Sequence, residues 1–194
     1  MPSTPVKHAT SLSVVAGILG CLLGGRPTIR PQAPLRKLTV DSILETLTVR
    51  EKVGQLIMPW LLGNYVATES DAFDNAAEWI DDFAVGGIAI SVGSPLAAAA
   101  KLNVLQQRSH LPLIVAADLE YGAAMRMVGA TAFPMPMGVA ATGREFDAYQ
   151  LGRITALEAR AVGIHWSFSP VVDLNSNPDN PIINTRSFGE SPSR

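Results

Sequence analysis

Leu113-Ile114-Val115-Ala116-Ala117-Asp118-Leu119-Glu120-Tyr121-Gly122-Ala123-Ala124-Met125-Arg126 is an apolar run that stops at two carboxylates, a glycine and an arginine. Leu113 to Ala117 carry no polar side chain, the pattern of a parallel strand covered on both faces by helices. Asp118 is the first group that needs water or a partner. In α/β folds, ligands gather at the carboxyl ends of parallel strands, where loops converge and the buried layer stops. Asp118 lies at that edge, and Arg126 can fold back across Gly122 to bring its planar fork of donors beside the carboxylate. Such a set of acceptors and donors suits a ligand rich in hydroxyls. The same residues would also serve as a loop cap with its ion pair, a purely structural arrangement.

Upstream, helical and extended patterns alternate. Asp41 can cap a short helix through Leu47, and Thr48 with Glu51 forms a capping box ahead of Val53, Leu56 and Ile57. A strand is expected near Ile57 to Trp60. Ser70 to Phe83 keeps helical spacing in Phe73, Ala76, Ala77, Ile80 and Phe83. Val85 to Ser91 then reads as a glycine turn entering a strand, with Gly86-Gly87 as a helix C-cap and tight αβ turn rather than a ligand loop. A phosphate loop would place its glycines after a strand and before a helix. Pro95 to Gln107 is an alanine-rich helix with Pro95 suited to its first turn. This alternation points to a parallel α/β sheet or barrel.

Downstream, Val128 to Met137 is broken by Gly and Pro and reads as an irregular loop over the mouth of the sheet. Its methionines, with Met125 and Met127, suit packing. Glu145 to Gly163 is helical by propensity more than by period, since Arg153 and Arg160 interrupt the apolar stripe. His165 to Asp173 alternates as a strand and ends at another carboxylate. Two Asn-Pro pairs, Asn177-Pro178 and Asn180-Pro181, then shape a loop. Arg186 on that loop can reach inward to a ligand oxygen, or can pair with Asp173 or Glu190 to hold the loop.

The chain's 194 residues, 47% hydrophobic and 16% charged with a net charge of −2, show no bias toward nucleic acid or a membrane surface. The single cysteine, Cys21, excludes an intramolecular disulfide, and no Cys/His spacing suggests a metal site. No cofactor is implied. Lys7 and His8 precede the uncharged run Leu12 to Leu23, the order of an export signal. Ile18-Leu19-Gly20-Cys21 resembles a bacterial lipoprotein cleavage box, which would attach the chain to a membrane through a lipidated Cys21. The expected organisation is therefore a signal over residues 1–23, a Pro/Gly linker over 24–37 and a folded domain over 38–194. The expected location is outside the cytoplasm: periplasmic, outer-membrane or extracellular.

Several of these segments together resemble glycoside hydrolase family 3, in its subgroup of bacterial β-N-acetylhexosaminidases. They are Asp118-Leu119-Glu120-Tyr121-Gly122 with Met125-Arg126, Phe133-Pro134, Phe168-Ser169-Pro170-Val171-Val172-Asp173, the Asn-Pro loop, and Asn184-Thr185-Arg186-Ser187-Phe188-Gly189-Glu190. The resemblance implies the first half of a (β/α)₈ barrel, which in full needs about 250 residues. It implies Asp118, Arg126 and Arg186 as substrate contacts, and retaining hydrolysis that removes terminal β-linked N-acetylhexosamine. The alternatives are a β-glucosidase-type exo-glycosidase of the same family and a sugar-binding module without activity. The family's Lys-His-Phe-Pro-Gly-His-Gly segment, its Asp-x-x-His acid/base and its nucleophilic aspartate have no counterpart through Arg194. The expectation is a fragment with no catalytic residue of its own. Asp118 and Asp173 could be imagined as a carboxylate pair, but the resemblance gives neither that role.

Overall fold

A computed structural model describes residues 39–192. Helices α1 (Val40–Thr46) and α2 (Val49–Gly54) lead into strand β1 (Trp60–Leu61). Then follow α3 (Asp71–Asp81), β2 (Gly87–Ile90), α4 (Pro95–Arg108), β3 (Ile114–Ala117), α5 (Pro136–Ala140), α6 (Glu145–Val162) and β4 (Trp166–Ser167). The strands form one parallel sheet in the order β1-β2-β3-β4. Strand order that follows chain order, with a helix between successive strands, is the progression of a (β/α) barrel. The described residues make a partial barrel of four strands.

Three helices begin where the sequence signals a cap. Thr48 and Glu51 exchange the expected bonds, Glu51 to the Thr48 N–H at 2.7 Å and Thr48 Oγ1 to the Glu51 N–H at 3.2 Å. Ser70 and Ser94 cap α3 and α4, the latter with Pro95 in its first turn. Gly163 stops α6 at φ 93°, a left-handed position suited to glycine. The helix-facing side of the sheet carries the core. Ile88 and Leu113 pack with Phe73, Ala76, Ile80 and Leu105, while Ile90, Val115 and Ala117 pack with Ala98, Leu102 and Ala159.

The register aligns Trp60, Ala89, Ala116 and Trp166 across the sheet. These alternate with the helix-packed residues and so lie on the concave face. Trp60 is 60% and Trp166 53% exposed, at the two edges of the sheet. His165 belongs to the ladder: its Nδ1 accepts the Val115 N–H at 3.1 Å and its own N–H donates to the Val115 carbonyl at 2.8 Å.

Four local expectations are corrected. Strand β1 lies at Trp60–Leu61, not over Ile57 to Trp60. Asp41 sits in the first turn of α1 instead of capping it. Gly86 does not cap α3: Ala84 takes the left-handed position at φ 49°, whereas a Cβ on Gly86 would fall 2.1 Å from the Gln55 carbonyl oxygen. Glycine is required there for close approach to the end of α2. The last segment pairs only over Trp166–Ser167, because β3 ends at Ala117 and the Phe168 N–H to the Ala117 carbonyl, 2.9 Å, is the final bond to it. The loop from Val128 is irregular until Pro136 starts α5. The signal and linker expected over residues 1–37 lie outside the described residues.

Candidate functional site

Chain direction places the carboxyl ends of β3 and β4 on one rim, and four charged side chains meet there in two pairs. Beyond Ala117 the chain turns through Gly122, at φ 109°, into a 3-10 turn at Ala123–Met125. A Cβ on Gly122 would stand 2.4 Å from the Thr131 carbonyl oxygen, so both conformation and space demand glycine. The turn returns Arg126 to the strand end, where its Nη2 donates to Asp118 Oδ2 at 2.5 Å. The Arg126 backbone is anchored separately. Its carbonyl accepts the Gly93 N–H at 3.0 Å, and the Val128 N–H reaches the Gly93 carbonyl at 3.0 Å. Asp118 remains 42% exposed at its side chain, and Oδ1 has no bond to the protein among the described residues.

Arg186 comes from the far loop, on a 3-10 turn at Asn184–Arg186. Its Nε donates to Glu120 Oε2 at 2.9 Å and its Nη2 to Glu120 Oε1 at 2.6 Å, a bidentate fork spanning 66 positions of sequence. Nη1 adds a bond to the Ile182 carbonyl at 3.1 Å. The Glu120 side chain is only 4% exposed, that of Arg186 37%. Hydrogen bonding to Glu120 raises the Arg186 guanidinium above its ordinary value; desolvation opposes this, and attraction to Glu120, Asp173 and Asp118 adds to it. Arg186 therefore stays charged at every working pH. The loop is secured by Ser187, fully buried, whose Oγ lies 2.7 Å from the Asp173 carbonyl oxygen and 2.8 Å from that of Gly189, and accepts the Gly189 N–H at 3.1 Å.

The structure thus gathers Asp118, Arg126 and Arg186, the three residues singled out from sequence, onto one rim. Of the two structural alternatives, one is present as expected and the other with a different partner. Arg126 does pair with Asp118, while Arg186 pairs with neither Asp173 nor Glu190 but with Glu120. Glu120 was not recognised as a site residue, although it stands in the Asp-x-Glu-x-Gly segment. Its signal was a carboxylate three residues past a buried strand, which a burial argument alone would have required to find a cation.

Chemically, the rim presents fixed donors and acceptors side by side. Arg186 has five N–H groups, of which three are bonded to protein, leaving one on each terminal nitrogen for a ligand. Asp118 Oδ1 offers an acceptor beside them. Among the described residues no group of three or more His, Cys, Asp or Glu side chains could hold a metal.

Comparison with known proteins identifies the family. The chain is 41% identical over 105 residues, 54% of its length, to a "Beta-N-acetylglucosaminidase/beta-glucosidase" of Cellulomonas fimi, of which that stretch is 19%. It is 29% identical over 206 residues, 97% of its length, to "Beta-hexosaminidase LpqI" of Mycobacterium tuberculosis, and spans 50% of that protein. Among solved structures, "Beta-glucoside phosphorylase BglX bound to 2FGlc" superposes with a TM-score of 0.71 at 32% identity, covering 79% of this chain and 27% of that one. The chain therefore spans half or less of these relatives. Residues 48–194 match the glycosyl hydrolase family 3 N-terminal domain, so the chain belongs to glycoside hydrolase family 3.

Proposed function

We propose that the rim binds the terminal sugar of a β-linked N-acetylhexosaminide, and that the whole protein hydrolyses that linkage with retention of configuration. The observation that carries this reading is the pair of fixed arginines, Arg126 and Arg186, each oriented by a carboxylate at the end of a barrel strand. Arg186's two remaining N–H groups suit hydroxyl or acetamido oxygens, and Asp118 Oδ1 accepts from a hydroxyl. Two relatives whose names include hexosaminidase or N-acetylglucosaminidase activity support the choice of sugar.

Retaining hydrolysis requires a nucleophile and an acid/base on opposite sides of the glycosidic bond. Asp118 and Glu120 are both committed to arginines, so we assign them to binding, and assign the reacting groups to other parts of the whole protein. The names of the Cellulomonas relative and of the solved phosphorylase favour a second reading, in which the sugar is a plain β-glucoside. We also propose export, from Lys7, His8 and the run Leu12 to Leu23, with Cys21 as the candidate lipid attachment.

Turnover of chromogenic N-acetyl-β-glucosaminide and β-glucoside by the full-length natural protein separates these readings. Preference for the former supports the hexosaminidase. Preference for the latter moves the assignment to a glucosidase, and activity on neither leaves a sugar-binding module.

A further inference from the structure

We propose that Glu120 positions Arg186 and, by neutralising it, makes the subsite select uncharged sugars over carboxylate-bearing ones. The inference rests on the sugar-binding reading above and specifies how Glu120 acts in it. Glu120 is nearly inaccessible, so no ligand reaches its oxygens directly; its influence passes through Arg186. By holding Nε and Nη2 on one side of the guanidinium, it leaves the outer N–H pair as the only face of Arg186 open to a ligand.

Charge is the second consequence. Arg126 is matched by Asp118 and Arg186 by Glu120, while Asp173 lies close enough to attract Arg186 as well. The arginines can therefore donate hydrogen bonds without presenting net positive charge. A neutral ring loses nothing by this, whereas a sugar carboxylate meets the field of Asp118, Glu120 and Asp173 in a partly desolvated site, where screening by salt is weak. Like-charge juxtaposition is an efficient means of rejecting a wrong ligand.

The test uses the full-length protein, its Glu120→Gln and Glu120→Asp variants, and N-acetyl-β-glucosaminide turnover inhibited by N-acetylglucosamine or by its C6-oxidised acid. Thermal melts establish that each variant folds. In the wild type the acid should bind at least about tenfold more weakly than the neutral sugar, as expected for one unfavourable charge interaction. Glu120→Gln should weaken the neutral sugar about tenfold through loss of a charge-assisted bond, while bringing the ratio of the two inhibition constants toward one. Glu120→Asp should keep the wild-type ratio even where affinity falls.

A folded Glu120→Gln protein that weakens both sugars equally would reduce Glu120 to a structural residue and overturn the inference. Should Glu120→Gln fail to fold, a shift of the ratio in Glu120→Asp, which retains the charge, overturns it instead. A wild-type protein that turns over no glycoside sinks the glycosidase reading itself, and is recognised before any variant is compared.

Discussion

In the proposed site Arg186 would serve a ligand through a planar fork that is held still, and lysine cannot reproduce that. A lysine keeps the charge but not the bidentate geometry, and it hydrates strongly. Arg186→Lys in the full-length protein should therefore lower kcat/KM by about tenfold to a hundredfold, the range for losing charge-assisted bonds at one group. Glu120 would keep a cation nearby, so the fold should survive. Arg186→Ala is a different experiment: it strands the Glu120 carboxylate, and stability should drop by about 2 kcal/mol or more. Equal kinetics for Arg186→Lys and the wild type, measured on the same aryl glycoside, would remove Arg186 from the subsite.

At the scale of elements, the loops rather than the strands decide whether the site exists. Ser187 ties Asp173 to Gly189 from a fully buried position, immediately beside Arg186. Ser187→Ala leaves those backbone groups one donor short, and should cost about 1–2 kcal/mol and raise KM more than it lowers kcat. An unchanged KM in a destabilised protein would confine Ser187 to folding. Lys101, buried on α4, donates to the Leu62 carbonyl at 2.7 Å, and burial lowers its pKa. Between that lowered value and the ordinary lysine value of about 10.4, the unfolded chain binds more protons than the folded one, so stability rises with pH. The Tm advantage of Lys101→Met over the wild type should accordingly be largest near neutrality and shrink toward pH ~10; a constant difference would show that Lys101 binds its proton equally in the folded and unfolded chain. These elements also mark what could be read in advance. Caps such as Thr48-Glu51 and the Gly163 stop are local chemistry, visible within four residues. The strand end at Ser167 was not, because it depends on where β3 leaves the sheet. The partner of Arg186 was not, because periodicity carries no information about a contact 66 residues away.

At the scale of the whole molecule, the arc of four strands among the described residues leaves its concave face exposed at both edges, while Ala116 between them is buried. In a closed barrel that face is a packed core, filled in layers by side chains from all the strands. Here Trp60 and Trp166 sit at opposite edges of the sheet, at 60% and 53% exposure, with Phe168 beside Trp166 at 42%. Among the described residues no further strand pairs with β1 or β4, and such edges invite further strand pairing. The 194-residue chain expressed alone should therefore associate or bind hydrophobic dyes, and its tryptophan emission should be red-shifted and readily quenched by acrylamide. Trp79, the remaining tryptophan, packs against the helix-side core and would contribute a minor protected component. In the full-length protein, further barrel strands would cover Trp60 and Trp166, blue-shifting the emission and protecting it from quencher. Replacing both edge tryptophans with serine should reduce association of the short chain while destabilising the full-length protein, since large aromatic deletions in a core cost about 3–5 kcal/mol each. A 194-residue chain that is monomeric, melts cooperatively and shields its tryptophans would mean that these residues close their own core, and the open face would not exist in solution.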